Sequence, residues 1–247
     1  MENQPALLPA YRPARGTVAR TLLQAPTLAL LDLVAPAAIT GREVLDGLAG
    51  PVLFVANHAS HLDTPALLHA LPGPWRRRVA VAAAADYFFT NPWRGTSVSV
   101  LFNAFPFART TGVRATLRTC AGLVEQGWSI LLYPEGTRSA TGQIGPFRPG
   151  VGLLAVTLGI PVVPIRTVGL FAVLPRGEHI PHPGRVQIHF GAPLCFPPGT
   201  PAHAAAIAIE AAVCALPACA APPVGTRAVL TPLTLLKGAS HVGYLPY

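Results

Sequence analysis

Between Pro51 and about Pro198, short apolar runs alternate with stretches whose apolar positions recur at helical spacing. The runs Val52 to Ala56, Val79 to Ala83, Ser97 to Leu101, Ser129 to Tyr133 and Val162 to Arg166 have the length of strands. Arg185 to Phe190 alternates, with Val186, Ile188 and Phe190 on one face and Arg185, Gln187 and His189 on the other. Between these runs, Val113, Leu117, Cys120 and Val124 form the apolar stripe of a helix. Gly150 to Leu158 reads as a buried helix with Gly159 as its C-cap. Thr200 as N-cap, with Pro201 at the first helical position, opens an alanine-rich helix ending near Leu216. Alternation of this kind predicts an α/β fold, with a central, mostly buried sheet flanked by helices.

The pattern changes on either side of that block. Thr17 to Ile39 reads either as a helix lying in a membrane interface, with Arg12, Arg15 and Arg20 at headgroup level, or as a helix packed on the core. Pro26 and Pro36 would kink or end it. Only about eleven residues separate Arg20 from Asp32, too few to span a bilayer. Met1 to Ala10 lacks a charged start and no cleavage pattern follows, so no signal peptide is expected. After Leu216 come Pro217, Pro222 and Pro223 and an apolar tail with no periodicity. The expected organisation is a helical, interfacial segment over 1–40, one domain over 41–216 and a tail over 217–247.

Composition narrows the partners. Hydrophobic residues make up 51% of the 247, and 18 basic residues outweigh 10 acidic ones for a net charge of +8. Mean hydropathy is +0.46. A chain this basic suits nucleic acid, a membrane surface or an acidic small molecule, but no helix carries a dense basic stripe, so lipid is favoured over nucleic acid. Lys237 is the lone lysine among the basic residues. Arginine suits bidentate phosphate contacts, although codon bias in a GC-rich genome accounts for most of the skew. Pro74-Trp75-Arg76-Arg77-Arg78 and Pro92-Trp93-Arg94 read as interfacial clusters or as ordinary surface loops. Cys120, Cys195, Cys214 and Cys219 form no CxxC pair and have no histidine at metal-ligand spacing, which predicts free thiols in a reducing compartment and no metal site.

Two polar knots carry the candidate chemistry. Asn57-His58-Ala59-Ser60-His61-Leu62-Asp63 follows one apolar run, and Tyr133-Pro134-Glu135-Gly136-Thr137-Arg138-Ser139 follows another. Ligands in α/β sheets bind at the carboxyl ends of strands, where both knots fall. Ser60-x-x-Asp63 is also a capping box, which would leave Asp63 no chemical duty. Pro65 fits better at the first position of a helix capped by Thr64. His58 and Asp63 then share a loop that can fold back into a hydrogen bond; in a regular helix their side chains would point roughly 140° apart. The second knot has an ordinary reading as a turn. Against it stand Arg138 close behind and Phe147-Arg148-Pro149-Gly150 leading into a helix, a natural anion site. Arg109 adds another cation near strand-like sequence.

Together these blocks resemble the glycerolipid (lysophospholipid) acyltransferase family, the bacterial 1-acylglycerol-3-phosphate acyltransferases and relatives. Asn57-His58 with Asp63 matches its first motif, Phe107-Ala108-Arg109 its second, Tyr133 to Ser139 its third, and Ile160-Pro161-Val162-Val163-Pro164-Ile165 its fourth. The chain departs at Tyr133, where Phe is common, and at Arg148-Pro149, where a Lys-rich pair often stands. The resemblance implies acyl transfer from a thioester of CoA or acyl carrier protein to a lysophospholipid hydroxyl, with no other cofactor. His58 would be the general base and Asp63 its orienting acid. Arg109, Glu135, Gly136, Thr137 and Arg138 would sit on the acceptor's phosphate side, Glu135 orienting an arginine or the loop. Peripheral attachment to the cytoplasmic face of an anionic membrane follows from the basic surface and the absence of a span. Transfer to another lipid acceptor, hydrolysis of a thioester or phosphate ester by the same pair, and non-catalytic lipid binding are the alternatives.

Overall fold

The computed structural model describes residues 18–108 and 113–218. Helix α1 (Val18–Val34) comes first. Leu31 on its inner face joins the core, while Leu22, Leu23, Leu30 and Leu33 on the outer face are exposed, Leu33 by 80%. Pro26 sits within the helix without ending it. The inner face is tied down by polar contacts: Arg20 donates to the Arg77 carbonyl, the Gln24 amide to the Leu101 carbonyl, and Asp32 pairs with His69 at 3.1 Å.

A seven-stranded sheet follows. In chain order the elements are β1 (Ala37–Thr40), β2 (Leu53–Ala56), α2 (Asp63–Ala70), α3 (Gly73–Arg76), β3 (Val79–Ala84), α4 (Ala85–Phe88), α5 (Pro92–Phe102), β4 (Ala104–Phe107), α6 (Val113–Glu125), β5 (Ser129–Leu132), α7 (Gly150–Leu158), β6 (Val162–Val168), α8 (Leu170–Val173), β7 (Val186–Phe190) and α9 (Ala202–Ala215). Spatial order is β1-β7-β6-β2-β5-β3-β4. From β6 to β4 all neighbours are parallel, while β7 runs antiparallel to β6 and carries β1 alongside in parallel. The carboxyl ends of β6, β2 and β5 therefore lie side by side at one edge.

Both faces of the sheet are covered. Phe54, Leu131, Val163 and Ile188 pack beneath Leu31 of α1, Leu67 of α2 and Leu170 of α8. Leu53, Ile130 and Val162 pack beneath Leu123 of α6, Leu154 of α7 and Ile209 of α9. Burial on both faces is why the central strands read as unbroken apolar runs. On β7 even the polar side is closed over: Gln187 and His189 are buried, and His189 Nδ1 lies 2.7 Å from Thr40 Oγ1 on β1. Where α7 meets α9 the backbones touch. A Cβ at Gly152 would run into the Ala202 carbonyl and lie 2.6 Å from the Ala206 nitrogen.

Several sequence expectations need correction. Ser97 to Leu101 is part of α5, not a strand; the serines that made it look alternating turn their hydroxyls onto the carbonyls of Trp93 and Ala104. The strand comes just after, as β4, and as an edge strand it tolerates Pro106. β1 lies within 1–40, so the boundary at residue 40 cuts off an edge strand of the main sheet. Helix α2 starts at Asp63 with Leu62 as its N-cap, which puts Pro65 in a first turn that needs no N–H from it. Thr200 bonds the Pro197 carbonyl instead of capping α9. Trp75 packs edge-on against Phe54 at 5.9 Å, a core contact rather than an interfacial one. Of the tail, residues 219–247 lie outside the described residues.

Candidate active site

Strand β2 ends at Ala56 and delivers His58 into a tight loop. Its Nδ1 lies 2.8 Å from Asp63 Oδ2. An ionised carboxylate only accepts, so Nδ1 carries the proton and Nε2 keeps a free lone pair on a ring that lines a cavity. Asp63 is 0% exposed, and four donors converge on it. Oδ2 also accepts from the backbone N–H groups of Ala59 at 2.7 Å and Ser60 at 2.8 Å, and Oδ1 accepts from the Thr167 hydroxyl at 3.2 Å. A buried carboxylate stays ionised only with such compensation. The two readings of Asp63 thus coincide in one atom: Oδ2 reaches back to the Ser60 N–H before α2 and holds the His58 ring.

Thr167, at the end of β6, is itself fixed. Asn57 grips its backbone from both sides, Nδ2 donating to the Thr167 carbonyl at 3.0 Å and Oδ1 accepting from its N–H at 2.8 Å. Tyr133, at the end of β5, stacks on the His58 ring with centroids 4.1 Å apart and planes 14° apart. Its hydroxyl lies 2.9 Å from Thr64 Oγ1. Burial, reinforced by the charge of Asp63, holds the phenol pKa well above its ordinary value, so Tyr133 stays neutral. In the sequence Asn57 stands only as the opening residue of a motif and Thr64 as a cap. Thr167 has no such place, because nothing near it in the chain marks it as a partner of Asp63.

The second knot surrounds the same ring. Glu135 does not line the cavity. Its carboxylate accepts the His58 N–H at 2.7 Å and the Gly145 N–H at 2.9 Å, which ties the two loops together. Burial raises its pKa, and the two N–H bonds pull it back. Gly136, at φ 73°, makes the left-handed turn that glycine allows, and a Cβ there would lie 2.6 Å from Arg148 Nε. Arg148 thus lies over Gly136, with its Nε donating to the Glu135 carbonyl at 3.3 Å. Gly136, Thr137, Arg138 and Arg148 all line the cavity. Arg109, the remaining expected acceptor contact, lies outside the described residues.

The cavity has a volume near 990 Å³ and two kinds of wall. Val98 and Phe102 of α5, Phe107 of β4, Leu117 of α6 and Leu154 of α7 make an apolar interior. His58 and His61, with the guanidinium groups of Arg138, Arg148 and Arg176, make a polar end whose charge comes from the arginines. His61 is pushed down to about 4, first by desolvation and then by the charge of Arg138, so it is neutral at pH 7. Among the described residues no three His, Cys, Asp or Glu side chains cluster to hold a metal ion. Among the described residues Cys120, Cys195 and Cys214 are free thiols, with Cys120 pushed up to about 12 by burial, and Cys219 lies outside the described residues. A proton acceptor beside an apolar chain-sized space with an anion-binding end is an arrangement for acyl transfer to a charged lipid.

Known proteins resemble this chain in sequence and in fold. A family model described as Acyltransferase matches residues 37–168. A chloroplastic 1-acyl-sn-glycerol-3-phosphate acyltransferase of Brassica napus is 33% identical over 159 residues, which are 63% of this chain and 44% of that protein. A probable 1-acyl-sn-glycerol-3-phosphate acyltransferase of Mycoplasma genitalium is 28% identical over 142 residues, 54% of this chain and 50% of its own length. The chain spans less than half the length of the two chloroplastic plant relatives, from Brassica napus and Arabidopsis thaliana, that it matches. The crystal structure of the 1-acyl-sn-glycerophosphate acyltransferase of Thermotoga maritima superposes with a TM-score of 0.57 at 22% identity, covering 79% of this chain and 81% of that one, and so shares the fold. With more than half of its length inside the family's own pattern, this chain belongs to the acyltransferase family.

Proposed function

We propose that this protein transfers a fatty acyl group from an acyl thioester, carried by CoA or acyl carrier protein, to the free hydroxyl of 1-acylglycerol-3-phosphate, giving phosphatidic acid. The observation that carries this reading is the His58–Asp63 pair, 2.8 Å apart, opening onto a cavity that is apolar in its interior and cationic at one end. His58 Nε2 takes the proton from the acceptor hydroxyl as its oxygen attacks the thioester carbonyl. The tetrahedral adduct collapses, the C–S bond breaks, and the imidazolium returns its proton to the departing thiolate. Asp63 stabilises the imidazolium between the two transfers. Positioned base catalysis of this kind contributes about 10²–10⁴-fold. The hydroxyl is itself the nucleophile, so no acyl-enzyme is required.

The exposed leucines of α1 and Trp93, 83% exposed at the start of α5, support attachment to a membrane surface. No helix among the described residues is long and apolar enough to cross a membrane. The reading is that α1 lies in the interface on the cytoplasmic face, while the cavity takes its substrates from the bilayer. Assay of the purified protein with an acyl thioester and a panel of lysolipids tests the chemistry. Phosphatidic acid should form, and His58→Ala should slow its formation by about 10³-fold. Release of free fatty acid without an acceptor product would overturn the transferase reading in favour of a hydrolase.

A further inference from the structure

Arg176 lies beyond the residues that the family model matches, on the short segment after α8, yet the structure brings it to the catalytic loop. That loop is held from both sides. On one side the Ser139 N–H donates to the His58 carbonyl at 2.8 Å, which seats Arg138 beside the imidazole. On the other the Ser60 hydroxyl donates to the Leu174 carbonyl at 2.8 Å, which seats Arg176 two residues further on. Arg176 closes the arch, its Nη1 donating to the Arg138 carbonyl at 3.4 Å. Arg148, folded over Gly136, is the third guanidinium on the same cavity.

Charge makes this cluster informative. Among the described residues that line the cavity there is no carboxylate, and Arg138, Arg148 and Arg176 make no ion pair. Desolvation lowers the Arg138 pKa, and the neighbouring charge of Arg176 adds to that lowering. Guanidinium groups remain charged regardless, so Arg138 and Arg176 are held together against their own repulsion, and Arg148 lines the same cavity from over Gly136. An anion of high charge relieves that repulsion. A phosphate monoester carries about −1.5 to −2 charge near pH 7 and offers three terminal oxygens. A phosphodiester carries a single charge and has two free oxygens.

We infer that Arg176 completes a three-guanidinium seat for a phosphate monoester and makes the enzyme prefer that headgroup over a phosphodiester. The inference rests on the acyl-transfer reading for its substrate but not for its binding site. Each guanidinium offers paired donors, so Arg138 and Arg148 suffice for the two free oxygens of a diester, and the third oxygen of a monoester is left for Arg176.

The test compares wild type, Arg176→Gln and Arg176→Lys in the full chain, with 1-acylglycerol-3-phosphate and 1-acylglycerophosphoglycerol as acceptors in mixed micelles. Removing one charge-assisted contact should raise KM for the monoester about 10- to 100-fold. The KM for the thioester and the kcat/KM for the diester should change by less than about threefold, which is within the spread expected for a contact not made. Arg176→Lys should fall between the other two, since it keeps the charge but loses the fork. Direct binding of sn-glycerol 3-phosphate, read by thermal shift, should weaken in parallel. Equal losses on both acceptors would make Arg176 a structural residue and overturn the inference, as would an unchanged monoester KM or failure of the wild type to bind sn-glycerol 3-phosphate. Binding that is intact in wild type, lost in Arg176→Gln, and unaccompanied by turnover would sustain the inference and sink the acyl-transfer reading alone.

Discussion

The two sides of the cavity are built on opposite plans. Around His58, polar atoms are matched in pairs: Asp63 has four donors, Asn57 and Thr167 bind each other, Tyr133 meets Thr64, and Glu135 spans two loops. Across the cavity, α4 and α5 offer Tyr87, Phe88, Val98 and Phe102, and beyond them α1 turns leucines outward. One side depends on directed bonds and tolerates little displacement. The other depends on apolar area, which is indifferent to direction. Damage to the first should therefore appear in the chemical step, and damage to the second in which lipid is used and where.

The largest break in that contrast is His58→Ala, expected to lower kcat by about 10³-fold, within the range for a positioned base, in protein whose circular dichroism is unchanged. Asp63→Asn should cost about 10²-fold or more, because the amide cannot stabilise the imidazolium and presents a donor where four donors already point. Activity within a few fold of wild type in either variant would dismantle the mechanism. Thr167→Val removes one hydroxyl and keeps the shape of the side chain. It should lower kcat about tenfold with both KM values unmoved, and Thr167→Ser should restore most of the loss. A matched fall in melting temperature with kcat intact would instead make Thr167 a packing residue.

On the apolar side, replacing Leu22, Leu30 and Leu33 by serine should release the protein from anionic vesicles in a sedimentation assay. Its kcat on substrates dispersed in detergent should stay within about twofold, since exposed leucines contribute little to folding. High salt should weaken vesicle binding only in part, because buried apolar area is not screened. Retention of the triple variant on vesicles would move the attachment away from α1. The smallest effect belongs to His61→Gln. His61 is already neutral above about pH 4, so the acid limb of the kcat/KM profile should not move. Its sign in stability is also fixed: the unfolded imidazole takes up a proton near its ordinary value while the folded one resists, so removing it should flatten the loss of stability as pH falls from the histidine range towards about 4.

The same contrast explains what was legible in the sequence. The polar side of the cavity was readable because its parts are adjacent in the chain: His58 and Asp63 share a loop, and Glu135 to Arg138 share another. The central strands were readable because burial on both faces leaves unbroken apolar runs. The strands that the pattern marks least, β1 and β4, are the edges of the sheet, four residues long and apolar without a clear period, and of the two only β4 reads as strand-like. Helix α5 was mistaken because Ser97-Val98-Ser99-Val100 alternates, and serine hydroxyls bonded to nearby carbonyls disguise a helix as a strand. Thr167 and Arg176 were invisible for a different reason. Each acts across a long separation in sequence, 104 residues from Thr167 to Asp63 and 38 from Arg176 to Arg138, and only the fold joins them.

Gly152 touches neither substrate nor His58, yet it governs how near α7 can approach α9, and α7 carries Val151, Leu153 and Leu154 into the cavity wall. Any side chain there must shift one helix against the other, because the obstacle is backbone. The space inside the cavity is thus set partly from behind its own wall. A lineage or a laboratory selection for a differently sized space has a route that leaves the lining intact: exchange at residue 152, with an answering change at Ala206, would resize the cavity by moving a helix instead of trimming it.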